Sequence, residues 1–444
     1  MKYKNYFVIT TSIFIKLNIF LLFLFARTFT GVEIFGFLYG ELLIGMCALF
    51  LVFYYLIIPI IKFSFLENNR LNVLIIFLVT SFILMNLFSK QSFLNLEIYK
   101  TSTYIWSFGG FVLGKVLVKF NLIKINSSDV YLTLFGLFVI FIFSTNGISE
   151  NRQNFVLNFT DKFEYPKGSD LLLAFIFIFY FILNKYKFSR SSINILILFS
   201  SLYLPLFLVK SRSGFISLII FLLLIFINHK SKLFKIDKQN LILFFTSVLI
   251  FLLSTSWVVG KDIVVDEEIT QELKFAITSR YSTINDNAYE EEYLQLSLFY
   301  IENNRLFSTD GNLNWRFQIW QDILQDLIDD NKFLLGYGFS EIIPAMDSDQ
   351  RYGQDKQNIN VHNYFMHILS RGGLLHLVLI LGIYFSLYYK FNLSNMKLDY
   401  FMIVFPLIFN SLFDPSMENA HYSTIMYFLL GLLSNKSILF KKEV

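Results

Sequence analysis

Cysteine and charge are both scarce in this chain of 444 residues, and each scarcity excludes a class of protein. One cysteine, Cys47, allows no internal disulfide, no CxxC redox pair and no zinc site built from cysteines. Charged residues make up 16% of the chain, whereas an average soluble domain carries about 25%. A soluble enzyme, a disordered chain and a nucleic-acid-binding protein are therefore excluded.

Apolar residues are abundant instead, at 55% of the chain, and phenylalanine alone supplies 55 residues. A membrane-spanning helix needs about 20 mostly apolar residues, so we predict an all-α, polytopic membrane protein with about twelve transmembrane helices. We place the spans near residues 7–25, 38–61, 71–87, 104–118, 130–143, 171–183, 193–209, 215–228, 241–259, 374–389, 400–412 and 423–433. The first stretch contains Lys16 and lacks a small-residue cleavage site, so we interpret it as a retained span rather than a signal peptide.

The basic residues predict the orientation of these spans. Cytoplasmic loops of membrane proteins are enriched in Lys and Arg. When the N-terminus, which carries Lys2 and Lys4, is placed inside, every inside segment is net basic. We therefore expect both termini to be cytoplasmic.

One long segment, residues 260–363, falls outside and is strongly acidic. Long loops with no structure of their own are uncommon unless they are functional. We predict three regions: residues 1–259 with transmembrane helices 1 to 9, residues 260–363 as a mainly helical outer loop domain, and residues 364–444 with helices 10 to 12.

Within that loop, residues 314–328 (NWRFQIWQDILQDLI) have the period of an amphipathic helix. At 100° per residue, Arg316 lies in the middle of the apolar face, beside Trp320 and Ile323. An arginine there must either be paired in a buried ion pair or reach a charged ligand. Both interpretations remain open on the residue pattern alone.

A glycine-containing turn and a histidine follow this helix. Residues 332–340 (KFLLGYGFS) predict a tight turn that exposes Tyr337. His362 is expected in the first turn of the next helix, where the helix dipole disfavours the imidazolium. A neutral imidazole is what a general base requires, although a structural histidine remains the alternative.

The third feature is the short outside loop Lys210-Ser211-Arg212-Ser213-Gly214, whose two positive charges run against the positive-inside trend. Arginine beside small hydroxyl donors could bind phosphates, and anchoring to lipid headgroups is the alternative. Asp347-Ser348-Asp349 has the spacing of a metal-dependent nucleotide-sugar site, but nucleotide-sugars are not expected outside the membrane. The chain has no phosphate-binding GxxxxGK[ST] loop.

Taken in order, SRSG at Ser211–Gly214, WRFQIW at Trp315–Trp320, LLGYGFS at Leu334–Ser340 and VHNYFMHIL at Val361–Leu369 resemble the O-antigen ligase and O-antigen polymerase family of bacterial envelope glycosyltransferases. The resemblance covers about residues 205–385, and FNSLFD at residues 409–414 also fits. Lys332 departs from the pattern, because family members often place a proline before the turn.

The resemblance implies a helical membrane bundle with a periplasmic domain that transfers a glycan from undecaprenyl diphosphate to an acceptor hydroxyl. It implies that Arg212 and Arg316 bind the diphosphate and that His362 deprotonates the acceptor, without a metal or other cofactor. Further contacts to the diphosphate or glycan are expected from Lys210, Ser211, Trp320, Tyr337 and Asn363. The implied location is the bacterial inner membrane.

Three functions remain open at this stage. An O-antigen ligase would use lipid A-core as its acceptor, whereas a polymerase would use a second lipid-linked repeat. A lipid-linked glycan flippase or transporter is the alternative from another class, and it would not need His362. Lys16 and Glu41 are the clear charges within predicted spans, which is few for an ion-coupled transporter.

Overall fold

The computed structural model describes residues 2–57, 70–88, 96–123, 126–233, 238–262, 299–340, 342–347, 360–394 and 396–434. Within these residues the chain is almost entirely helical, as the composition predicts. Its strands form two short antiparallel hairpins. The Asp347-Ser348-Asp349 motif lies partly outside these ranges, because Ser348 and Asp349 are not among the described residues.

The first part of the chain contains α1 to α8 and the hairpin β1–β2. Their bounds are α1 Lys2–Phe25, α2 Arg27–Thr30, β1 Glu33–Ile34, β2 Phe37–Leu38, α3 Tyr39–Val52 with a π-helical turn at Phe53–Ile57, α4 Arg70–Phe88, α5 Leu96–Thr101, α6 Thr103–Trp106, α7 Phe108–Lys119 and α8 Ser127–Asn146.

The remainder contains α9 to α17 and the hairpin β3–β4. Their bounds are α9 Glu150–Leu157, α10 Gly168–Lys185, α11 Arg190–Lys210, α12 Arg212–Leu233, α13 Lys238–Asp262, β3 Phe299–Glu302, β4 Arg305–Ser308, α14 Gly311–Asp329, α15 Tyr364–Leu393, α16 Lys397–Ser411 and α17 Ala420–Leu433, with 3-10 turns at Pro344–Met346 and Pro415–Glu418.

Helices overlap all of the predicted spans, and the chain is a multi-pass membrane protein. Six of the described helices are long and apolar enough to cross a membrane, and four shorter apolar helices accompany them. The fourth predicted span differs most, because two helices, α6 and α7, replace one continuous helix. The number twelve and the outer location of the loop domain stay predictions.

Two helices, α10 and α17, lie at the centre of the bundle, since nearly every residue in each is buried. A helix that is apolar on all sides is typical of such a position. The backbones of α7 and α17 approach closely, because a β-carbon on Gly110 would lie 2.5 Å from the carbonyl oxygen of Thr424. Small residues permit this packing in membrane helices.

The loop segment packs on the start of α15 through a small apolar cluster of its own. Ile319, Ile323 and Leu327 form the buried stripe of α14, as the helical periodicity predicts. They cluster with buried residues that follow α14 along the chain, namely Ile343, Ala345, Met346, Val361 and Leu369. We call the end of the bundle that this cluster covers the loop side.

Candidate active site

His362 is fixed in the segment that leads into α15. The preceding residue, Val361, is fully buried, and its carbonyl accepts a hydrogen bond from the indole Nε1 of Trp320 at 2.9 Å. The imidazole packs edge-on against the ring of Trp315, with centroids 5.1 Å apart. Both tryptophans belong to α14, so this helix positions the histidine.

The residue after His362 begins the helix. The side-chain oxygen of Asn363 accepts hydrogen bonds from the backbone N–H groups of Phe365 and Met366, at 3.0 and 3.1 Å, and so caps α15. His362 itself has a φ of 56°, in the left-handed region. The prediction that His362 lies in the first helical turn is therefore wrong, because the cap at Asn363 leaves it just outside the helix.

The expected neutral form of His362 has a different main cause from the one predicted. Burial is the largest effect, and together with the positive charges of Arg316, Lys167 and Arg27 it lowers the pKa of His362 to about 4. Removing an imidazolium from water disfavours the charged form, and nearby cations disfavour it further. The side chain is thus an uncharged proton acceptor at neutral pH.

Arg316 lies on the half-buried face of α14, as its position in the sequence predicts. Burial lowers the pKa of its guanidinium, and the carboxylates of Asp414 and Asp310 oppose that shift. Its Nε is buried and makes no hydrogen bond within the described part of the chain. The guanidinium therefore retains capacity to bind an anion beside His362.

Arg212 lies at the start of α12 and contacts the start of α14. Its Nη1 forms an ion pair of 2.6 Å with Asp310, whose other carboxylate oxygen caps α14 by accepting from the N–H of Leu313 at 3.0 Å. The Arg212 side chain is 82% exposed. Asp310 therefore brings Arg212 towards the first turns of α14, where Arg316 also lies.

The other residues of the Lys210–Gly214 loop serve the local fold. The Ser211 hydroxyl accepts a hydrogen bond from the N–H of Gly214 at 3.1 Å and lies 3.0 Å from the hydroxyl of Ser213. Ser213 in turn donates to the side-chain oxygen of Asn410 at 3.0 Å. Lys210 is exposed.

Three further residues expected to bind substrate have internal partners. Trp320 and Asn363 make the contacts with the His362 segment described above. The Tyr337 hydroxyl donates to Asp330 at 2.7 Å, beyond the C-terminal end of α14 and about 20 Å along that helix from Arg316. The structure thus brings Trp320 and Asn363, but not the Tyr337 hydroxyl, to the segment that holds His362.

Three other histidines of the described residues have partners elsewhere in the bundle. His367 lies 2.9 Å from the carbonyl oxygen of Thr101, and His421 lies 2.7 Å from a carboxylate oxygen of Asp170. His376 contacts the hydroxyl of Tyr104 through one ring nitrogen and that of Ser81 through the other.

Sequence reasoning missed Arg27, Lys167 and Asp414 as members of this site. Asp414 interacts with the charges of Arg316, Arg27 and Lys167, and burial raises the pKa of its carboxyl. A signal for the two cations was present, because both lie in predicted outer loops and depart from the positive-inside trend. Asp414 lies in the FNSLFD stretch.

The arrangement therefore combines a neutral base with a group of cations at the loop side. Such a set can remove a proton from a hydroxyl while it stabilises negative charge that develops on a nearby leaving group. Among the described residues no three His, Cys, Asp or Glu side chains are grouped in a way that could hold a metal ion. The absence of a cofactor stays a prediction.

Comparison with protein families gives a match to the O-antigen ligase family over residues 195–381. The match begins within α11 and ends within α15, so it includes Arg212, Arg316 and His362. The comparison with curated proteins gives no match. Residues 195–381 are thus similar to the O-antigen ligase family, which supports the resemblance of this chain to the O-antigen ligase and polymerase family.

Proposed function

We propose that this protein is a glycosyltransferase that moves a glycan from undecaprenyl diphosphate to an acceptor hydroxyl at the periplasmic face of the bacterial inner membrane. We assign it as an O-antigen ligase with lipid A-core as the acceptor. The observation that carries the proposal is the buried, neutral imidazole of His362 within the influence of the Arg316 charge. The family match supports this type of activity in general.

In the proposed reaction the acceptor oxygen attacks the anomeric carbon of the donor sugar. His362 takes the proton of that hydroxyl as the new carbon–oxygen bond forms. The bond between the anomeric carbon and the diphosphate oxygen breaks, and its electron pair leaves with undecaprenyl diphosphate. In-line attack inverts the configuration at that carbon.

The negative charge that develops on the leaving diphosphate is stabilised by Arg316 and Arg212. Preorganised cations in a site with little water can provide this stabilisation without reorganising during the reaction. The proposed mechanism is therefore metal-independent. Its residues come from α12, α14 and the segment before α15, all of which meet at the loop side.

The test is a gel profile of surface lipopolysaccharide from a deletion strain that carries wild-type protein, His362→Ala, Arg316→Gln or the control Arg152→Gln. Arg152 is an exposed arginine of α9, so its replacement matches the loss of charge without touching the site. We expect His362→Ala to abolish transfer and Arg316→Gln to reduce its rate by roughly 100-fold to 1,000-fold. The control should resemble the wild type.

The same gel distinguishes a ligase from a polymerase and from a flippase or transporter. Bare core with long polymer still on its lipid carrier in the deletion strain supports a ligase. Core that carries a single repeat supports the polymerase alternative, which extends lipid-linked repeats. A wild-type profile from His362→Ala would contradict the catalytic assignment and favour a lipid-linked glycan flippase or transporter.

A further inference from the structure

A second group of positive charge lies on the loop side, in a part of the chain outside residues 195–381. Arg27 is the first residue of α2, which follows α1 directly. Lys167 is the N-cap residue of α10. One oxygen of Glu164 lies between them, 3.6 Å from Arg27 Nη1 and 3.7 Å from Lys167 Nζ. One carboxylate oxygen therefore lies within ion-pair distance of two cations.

The contacts within this group are loose. Both distances to Glu164 are longer than a charge-assisted hydrogen bond, which is usually about 2.7–2.9 Å. The Nε of Arg27 is buried and has no hydrogen-bond partner among the described residues, and its side chain is only 18% exposed. A partly buried guanidinium with an unused donor is suited to bind an additional anion.

The backbone holds these cations in place. The Thr28 hydroxyl donates to the carbonyl oxygen of Glu164 at 2.9 Å and accepts from the N–H of the same residue at 2.8 Å. The Thr160 hydroxyl donates to the carbonyl oxygen of Thr28 at 2.8 Å. Since these bonds join α2 to the segment before α10 through backbone groups, Arg27 and Lys167 do not need the Glu164 side chain to remain neighbours.

The group adjoins the candidate active site. Gly168, next to Lys167, packs directly against the side chain of Ser211, the residue before Arg212. The positive charges of Lys167 and Arg27 both reach His362 and lower its pKa. The cations of the N-terminal half and those of residues 195–381 thus surround one region.

The neighbouring acidic groups Asp170, Asp414 and Glu418 also interact with the charge of Arg27, but each of them is buried or has another partner. Asp310 is paired with Arg212, and Asp170 contacts His421 at 2.7 Å. Burial raises the pKa of Asp414, and it raises the pKa of Glu418 to about 8, so both carboxyls favour their neutral forms more than an exposed carboxyl does. Glu164 is within ion-pair distance of both Arg27 and Lys167.

We propose that Arg27 and Lys167 bind a phosphate group of a substrate lipid, and that Glu164 is the counter-ion that this phosphate displaces. The inference rests on the proposed function and adds the cations from the N-terminal half to its phosphate site. The donor diphosphate is one source of the phosphate, and a phosphorylated acceptor lipid is the other. Both present the same chemistry to the two cations.

The test is a binding measurement on the full chain in lipid nanodiscs, with undecaprenyl diphosphate in one arm and lipid A-core in the other. The variants are Arg27→Gln, Arg27→Lys, Lys167→Gln and Glu164→Gln, with Arg152→Gln as the matched charge control. Since hydrogen bonds to charged groups contribute substantially, we expect Arg27→Gln and Lys167→Gln to weaken binding by roughly tenfold to 100-fold. Arg27→Lys should retain part of the affinity, because it keeps the charge.

Glu164→Gln distinguishes a binding site from a structural ion bridge. Removal of a competing carboxylate should tighten binding several-fold if the two cations receive phosphate. A purely structural bridge predicts the opposite, namely a lower melting temperature with no gain in affinity, and that result would overturn the inference. A loss confined to one arm supports the site and identifies the source of the phosphate.

The result remains separable from the proposed function. His362→Ala should bind both lipids like the wild type, because binding does not require proton transfer. Wild-type affinity for both lipids in Arg27→Gln and Lys167→Gln would overturn this inference and leave the proposed reaction intact. A wild-type protein that binds neither lipid would contradict both.

Discussion

Individual charged residues at the loop side influence the protonation state of the candidate base, His362. Burial lowers the pKa of the His362 imidazole most, and the positive charges of Arg316, Lys167 and Arg27 lower it further. A free histidine of pKa about 6.5 would be partly protonated in a mildly acidic medium. With its pKa lowered to about 4, His362 stays available as a base throughout that range.

The pH dependence of transfer should show this lowered pKa. The base must be neutral, so kcat/KM should fall as the pH decreases through about 4 and should be insensitive to this group between about pH 5 and pH 8. In the pH profile of kcat, the fall on the acid side should lie at a higher pH, because the negative charge of the bound diphosphate favours the imidazolium. Measurement of both profiles with purified protein tests this.

Arg27→Gln provides an internal check on those profiles. Removing one of the cations near His362 should raise the pKa of the imidazole and move the acid limb of kcat/KM to a higher pH. Arg152→Gln should leave the limb in place. An acid limb near 6.5 in the wild type would mean that His362 is not the titrating base, or that burial and the cations do not act on it.

At the scale of elements, the LLGYG turn and the break in α15 form one unit. Gly373 has a φ of 65° and interrupts the helix, which frees backbone groups of the preceding turn. The N–H groups of Tyr337 and Gly338 donate to the carbonyl oxygens of Ser370 and Arg371, at 2.8 and 3.0 Å. The two glycine motifs therefore complement one another, since unpaired buried backbone groups are costly.

Two glycines of that turn form a matched pair for mutation. Both have positive φ, 70° at Gly336 and 84° at Gly338, so alanine at either costs about 1–2 kcal/mol through the left-handed backbone. A β-carbon on Gly336 would also lie 2.6 Å from the backbone of Arg371, whereas one on Gly338 would meet nothing within 4 Å. Gly336→Ala should therefore lower the melting temperature in detergent more than Gly338→Ala. Equal melting temperatures would show that the turn and the helix break are not tightly packed.

The histidine segment is a second unit at this scale. α14 supplies the Trp315 ring and the Trp320 indole N–H, and α15 begins with the Asn363 cap. The candidate base is thus placed between two helices, and its left-handed φ is maintained by contacts on both sides. Trp320 and Asn363, which are predicted to bind substrate, thus also contact the segment that holds the candidate base.

At the scale of the whole molecule, the orientation in the membrane decides which lipids reach the site. α15 has the site at its N-terminal end, and beyond the break at Gly373 its remaining residues, 374–393, extend for about 30 Å. Its other end should therefore lie on the opposite side of the membrane, where the basic segments are predicted. Cys47 is 2% exposed and should give little background labelling.

Single cysteines added at the two ends test this orientation. Gln325 is exposed on α14, and Ser394 is exposed just beyond the end of α15. With a maleimide that does not cross the inner membrane, Gln325→Cys should react in intact cells and Ser394→Cys only after lysis. The wild-type chain controls for Cys47. The reverse pattern would contradict the predicted orientation and the proposed access to periplasmic substrates.

The amino-acid sequence alone was enough to predict a polytopic helical membrane protein, its resemblance to the O-antigen ligase family and the three residues proposed for the reaction. Apolar runs predict helices because a lipid environment requires every backbone group to bond within its own segment. The apolar stripe of α14 with Arg316 in its midst is equally visible, since helical period alone places residues on a face. The order of the motifs made Arg212 and His362 candidates, and their roles stay predictions.

Only the tertiary structure decided which distant residues join those three. Arg27, Lys167 and Asp414 are separated from His362 by long stretches of chain, and no local period or spacing relates them. The placement of His362 outside α15, the break of the fourth predicted span and the internal partners of Tyr337 likewise depend on packing. Burial and the summed charge of neighbouring helices set the pKa of His362, and these are properties of the assembled bundle that a local sequence pattern does not contain.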